Sequence, residues 1–107
     1  MNKFVGKGRI VKNAVVSGVK NKALSFTVAT KVGYDDEIKK DRYAFVPCVL
    51  FNPKEETVEE LTEDGAGLEV EFAGFVRASS YKKGEDTKWQ TEVVINPETF
   101  NIIEAEE

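Results

Sequence analysis

Gly74–Ile95 reads GFVRASSYKKGEDTKWQTEVVI. Two runs with β character flank a short, charged, glycine-containing segment, the pattern of a hairpin. Tyr81 stands before the loop and Trp89 after it, with Arg77, Lys82, Lys83 and Lys88 around them. Aromatic faces stack on unpaired bases, and cations hold the phosphates between those bases. A hairpin carrying both suits a single-stranded nucleic acid. An ordinary charged hairpin with two half-buried aromatics has the same letters, and both readings stand at this point.

Upstream, short strands alternate with turn signals. Phe4–Val11 (FVGKGRIV) predicts a strand whose glycines imply bulges or tight curvature. Ser17-Gly18 and Asn21 mark the turn after it. In Ala23–Val32, Leu24, Phe26 and Val28 fall on one face and Ser25, Thr27 and Lys31 on the other. Gly33–Asp41 is polar and reads as a loop. Arg42–Phe51 (RYAFVPCVLF) is the most apolar run. Lys54–Asp64 is the single helical candidate, with Val58 and Leu61 as its spaced apolar pair and Gly65 and Gly67 beyond its end. Leu68–Tyr81 and Lys88–Ile95 complete the hairpin, and a weak strand, Phe100–Ile103, follows Asn96-Pro97.

This order predicts an all-β fold: a five-stranded OB-fold Greek-key barrel with one short helix between strands 3 and 4. Such a barrel needs one apolar face per strand, yet the third strand has two. Val46, Cys48 and Leu50 alternate with Tyr43, Phe45, Val49 and Phe51. If the first set fills the barrel, the second leaves aromatics outside, where apolar patches mark an interface. Coverage of both faces by the helix or a subunit is the alternative.

The 107 residues make one domain with room for a single modest core. No run reaches the roughly 18 apolar residues of a membrane span. The start, MNKFVGKGRIVK, breaks at once with Gly, Lys and Arg, so no signal peptide is expected and the cytoplasm is. The single cysteine, Cys48, lies in an apolar run and reads as a small hydrophobe. Net charge is −4, but residues 54–71 carry eight acids against one base and residues 98–107 four acids and no base. The remainder holds fourteen bases against seven acids, so a local positive surface fits an acidic whole.

In these pieces the chain resembles the bacterial and phage single-stranded DNA-binding proteins over nearly its whole length. NKFVGKGRI is similar to the family's opening strand, with Gly8 on the family glycine, and LSFTVAT to its second. FVPCVLFN resembles the third, with Phe51 on the family's phenylalanine and Phe45 where tryptophan is usual. VEELTEDGAGLEVEFAGFVRASSY resembles the helix, glycine turn and fourth strand, and TKWQTEVVI carries the family's Thr-Glu-Val-Val string at Thr91–Val94.

The resemblance places Tyr34 and Tyr81 where relatives use stacking tryptophans. Tyr34, Phe45, Phe51, Tyr81 and Trp89 are then the expected base-stacking residues. Lys7, Arg9, Lys31, Arg42, Arg77, Lys82 and Lys83 are the expected phosphate contacts. Three tryptophan positions carry tyrosine or phenylalanine, which weakens each stack, and Pro47 inside the third strand implies an edge or bulge. The family's long tail with its acidic, partner-recruiting tip has no counterpart at the closing IIEAEE, so a minimal, phage- or mobile-element-type member is expected. Residues 1–103 form the expected DNA-binding domain and 104–107 a short acidic end.

The expected partner is single-stranded DNA, bound with little sequence preference in replication, recombination or repair. A homo-oligomer, dimer or tetramer, is expected, along with replication or recombination proteins as further partners, and neither membrane nor cofactor. Catalysis is not expected. The chain has no histidine, Gly6-Lys7-Gly8 lacks phosphate-loop spacing, and Glu55/Glu56 and Glu59/Glu60 fall on the helix as a solvated face. The rival is a protein-interaction module similar to primosomal protein B, with the acidic helix and tail as its working surface.

Overall fold

A computed structural model describes residues 3–18 and 20–103, with the backbone alone at 32–35 and 81. The strands are Phe4–Ile10 (β1), Val15–Ser17 (β2), Ala23–Asp35 (β3), Lys40–Phe51 (β4), Glu69–Lys83 (β5), Asp86–Ile95 (β6) and Asn101–Ile103 (β7). One helix, Glu55–Asp64 (α1), lies between β4 and β5.

Alternation builds the interior. Leu24, Phe26 and Val28 of β3 and Cys48 and Leu50 of β4 are buried, as are Val70 and Phe72 of β5 and Val93 and Ile95 of β6. Phe4 adds its ring, stacked on Phe72 at 6.0 Å. The strands enclose this core as a ring, β1–β3–β4–β6–β5 and back to β1, antiparallel throughout except for the parallel β4–β6 pair. Closing the ring removes its free edges. The seam runs along β1, whose residues 4–9 pair with β5 and 9–10 with β3. Gly8 sits at that crossing: a Cβ there would collide with the Ala29 carbonyl, so the close approach of the β3 backbone requires the glycine, and the β1–β5 register runs through it without a bulge.

The helix follows the fourth strand and not, as expected, the third. The cause is β2, a three-residue strand that pairs with Ala23–Ser25 and is too short to show alternation. Leu61 of α1 is completely buried and Val58 packs against the same core. Asn13 holds the helix end: its Nδ2 donates to the Glu63 carbonyl at 3.2 Å and its Oδ1 accepts from the Ala66 N–H at 2.8 Å.

Two expected loops are mostly strand. Pairing of β3 with β4 runs out to Asp35↔Lys40, so the predicted loop 33–41 shrinks to the turn 36–39. Pairing of β5 with β6 runs to Lys83↔Asp86, leaving Gly84-Glu85. Gly84 has φ +68°, the left-handed geometry that tight hairpins demand. Both arms leave the barrel, their described side chains at 36–43 and 82–91 are exposed, and ladder hydrogen bonds hold them without any apolar alternation. Their projection shows in the radius of gyration, 14.8 Å, against about 13 Å for a globule of this length.

Pro47 causes no bulge. Thr27, its register partner on β3, uses its carbonyl to accept from the Val11 N–H at 2.9 Å. Thr27↔Pro47 is therefore a non-hydrogen-bonded pair, and the Pro47 nitrogen points away from β3. On that side β6 joins β4 only from Cys48 onward, so the missing donor falls just past the end of the β4–β6 ladder. The register shift in this pair of strands lies elsewhere, between Lys31 and Gly33.

Candidate nucleic-acid interface

β4 shows both of its faces at work. Val46, Cys48 and Leu50 point inward, while Tyr43, Phe45 and Phe51 stay on the outside. Phe45 is 65% exposed and Tyr43 52%. Val49 departs from the expected outer set, because it is buried. It pairs in register with the buried Val94, whose other neighbour is Phe75, so the two valines shield each other on the outer wall.

A groove crosses the outer face of β1, β3 and β4. Lys7 and Arg9 line it from β1, Lys31 from β3, Tyr43 and Phe45 from β4, and Glu69 from β5. Register explains the gathering: Arg9 pairs with Ala29, Ala29 with Phe45, and Lys31 with Tyr43. The small Ala29 and Gly8 leave the floor open between larger side chains. Two of the cations have carboxylate neighbours. Lys7 Nζ is 3.8 Å from Glu69, and Lys31 Nζ is 3.0 Å from Asp41. All four groups are solvent-accessible, so these pairs are easily exchanged. Three expected phosphate contacts thus meet one expected stacking ring.

A second cluster lies at the other end of β4. Arg77 and Glu92 are register partners across β5 and β6, and Arg77 Nε donates to Glu92 Oε1 at 2.9 Å. The guanidinium carbon lies 5.2 Å from the Phe51 ring centroid. Phe51 is accordingly only 38% exposed. Phe75, in phase with Arg77, borders the same apolar hollow as Phe51.

The structure does not bring every expected residue to these two places. Trp89 is 71% exposed and pairs with Ser80, in phase with Val93 and Ile95. It therefore stands on the opposite face of the β5–β6 arm from Arg77. Arg42 lies on the β3–β4 arm, and Lys82 and Lys83 lie near the tip of the other. The side chains of Tyr34 and Tyr81 lie outside the described residues. Tyr43 and Phe75 border these two places and were not among the expected residues. The signal was present, since each is two residues from a chosen one, Phe45 or Arg77, and so shares its face.

The Cys48 thiol is pushed up from 9.0 to about 12, first by burial and then by the Glu92 carboxylate. It is protonated at neutral pH and is no nucleophile. Among the described residues no group of His, Cys, Asp or Glu could hold a metal ion, and no helix is long and apolar enough to cross a membrane.

The same fold is found in a solved Plasmodium falciparum SSB complex with ssDNA. The two superpose with a TM-score of 0.70 over 96% of this chain and 93% of that one, at 16% identity. No curated protein matches the chain by sequence. The model of the single-strand binding protein family matches residues 1–103, nearly the whole chain, with the closed barrel and outer aromatics described above; the chain belongs to that family.

Proposed function

We propose that the chain is a non-enzymatic binder of single-stranded DNA with little sequence preference, serving replication, recombination or repair. The observation that carries this is the groove on β1, β3 and β4, where Tyr43 and Phe45 lie open among Lys7, Arg9 and Lys31. Stacking on such rings contributes about 1–3 kcal/mol per base and is nearly indifferent to base identity. Phe51, Tyr34, Tyr81 and Trp89 extend the stacking set. Arg42, Lys82 and Lys83 extend the phosphate contacts along the arms. Residues 1–103 form the binding domain and 104–107, outside the described residues, an acidic end. The protein works in the cytoplasm as a dimer or tetramer, without a cofactor, beside replication or recombination proteins. The interaction-module reading has less to support it, because the apolar side chains of α1, Val58 and Leu61, are spent on the core.

The test is fluorescence anisotropy of a dye-labelled oligothymidylate at several salt concentrations. Binding is expected at low salt, and log K should fall with log salt by about 0.7 per phosphate contact. Unlabelled duplex should compete poorly, because its bases are not free to stack. Lack of binding at low salt refutes the proposal.

A further inference from the structure

We infer that Arg77 and Glu92 are a positioning pair that holds the Phe51 ring for stacking, and that Arg77 is not a phosphate contact. The inference rests on the nucleic-acid reading above and assigns roles within it. Three observations carry it. Arg77 Nε is committed to Glu92 at 2.9 Å. The Glu92 side chain is only 12% exposed, so it exchanges Arg77 for water less readily than Asp41 and Glu69, at 39% and 38%, exchange their lysines. An almost buried carboxylate left without its cation is strongly unfavourable. Finally, the guanidinium lies over one face of Phe51, at 5.2 Å from its centroid.

The consequence is geometric. Arg77 covers one side of the ring and resists its rotation, so Phe51 offers its remaining face to one base. Guanidinium, ring and base then form three layers, with the cation–π contact already in place before DNA arrives. A phosphate drawn to Arg77 would also meet the Glu92 charge, which sets this cation apart from Lys7, Arg9 and Lys31.

The experiment uses the full chain and the same labelled oligothymidylate over a salt series. The variants are R77Q, R77K, E92Q and F51A, with R77Q and E92Q repeated in the F51A background and folding verified by thermal melting. R77Q and E92Q should each weaken binding about three- to tenfold, part of one stack, and leave the salt slope at its wild-type value. R77K keeps the charge but not the planar fork, and should bind no better than R77Q. In the F51A background neither R77Q nor E92Q should change affinity further. E92Q is the sharpest arm, because removal of a negative charge would by itself tighten binding. Tighter binding by E92Q, a slope flattened by about 0.7 in R77Q, or wild-type affinity in R77K overturns the inference and leaves the nucleic-acid reading intact. R77K decides the matter should E92Q not fold. A wild-type chain that fails to bind at low salt removes both.

Discussion

Phe45 and Phe51 share the outer face of β4, about 20 Å apart at strand spacing, and differ in what surrounds them. Phe45 stands largely in solvent beside Lys7, Arg9 and Lys31; Lys7 and Lys31 are loosely paired with exposed carboxylates, and Arg9 has no ion-pair partner among the described residues. Phe51 is half covered, with Arg77 over its ring and Glu92 behind Arg77. At one end of the strand Lys7 and Lys31 are held only by exposed carboxylates that water and other ions can displace. The other neutralises its charges internally and uses them to hold a ring. Aromatic content alone therefore does not describe such a face, because the partner of each neighbouring cation decides what that cation can do.

Four measurements would break or sharpen this contrast. The largest effect belongs to the inner side of the same strand. Leu50→Ala should cost about 2–5 kcal/mol of stability in urea unfolding, since Leu50 is buried among the core residues. If the loss is under about 1 kcal/mol, the division of β4 into inner and outer faces is wrong. Next, Phe45→Ala should weaken oligothymidylate binding by about 1–3 kcal/mol with little change in melting temperature, because the ring is mostly exposed. Unchanged affinity would remove Phe45 from the site. Third, Lys7→Gln and Arg9→Gln should each flatten the salt slope by about 0.7, whereas Phe45→Ala leaves it alone. A slope that ignores both cations would show that the groove does not meet the phosphates. The smallest effect is expected for Glu69→Gln, which opens an exposed ion pair. Its melting free energy should stay within about 0.5 kcal/mol of wild type. A larger loss would make that end of the site as tightly coupled as the Arg77–Glu92 end.

The core strands were legible because burial writes itself as a period of two. Leu24, Phe26 and Val28 point to the interior from sequence alone, and Leu61 marks the inner stripe of the helix. The arms were not legible. Residues 33–41 carry no apolar alternation, since a two-stranded ribbon in water has no face to bury, and their pairing is visible only once both strands are traced. Phe45 and Phe51 could be picked out because β4 is apolar on both sides. Val49 could not be told from them, because its burial depends on Val94, which arrives on β6 from 45 residues downstream.

Local chemistry in the chain determined the strand count of the barrel, the helix, its filling side chains and the presence of outward aromatics, since alternation, propensity and turn residues act over a few neighbours. The tertiary structure decided which cations those aromatics meet. Lys7, Lys31 and Phe45 come from three strands and gather only through the pairing of β1 with β3 and of β3 with β4. Arg77 and Glu92 face each other only because a two-residue turn sets the register of their hairpin, and they reach Phe51 only because β6 runs parallel to β4. Contacts between distant segments follow from register and closure, and no window of neighbouring residues contains them.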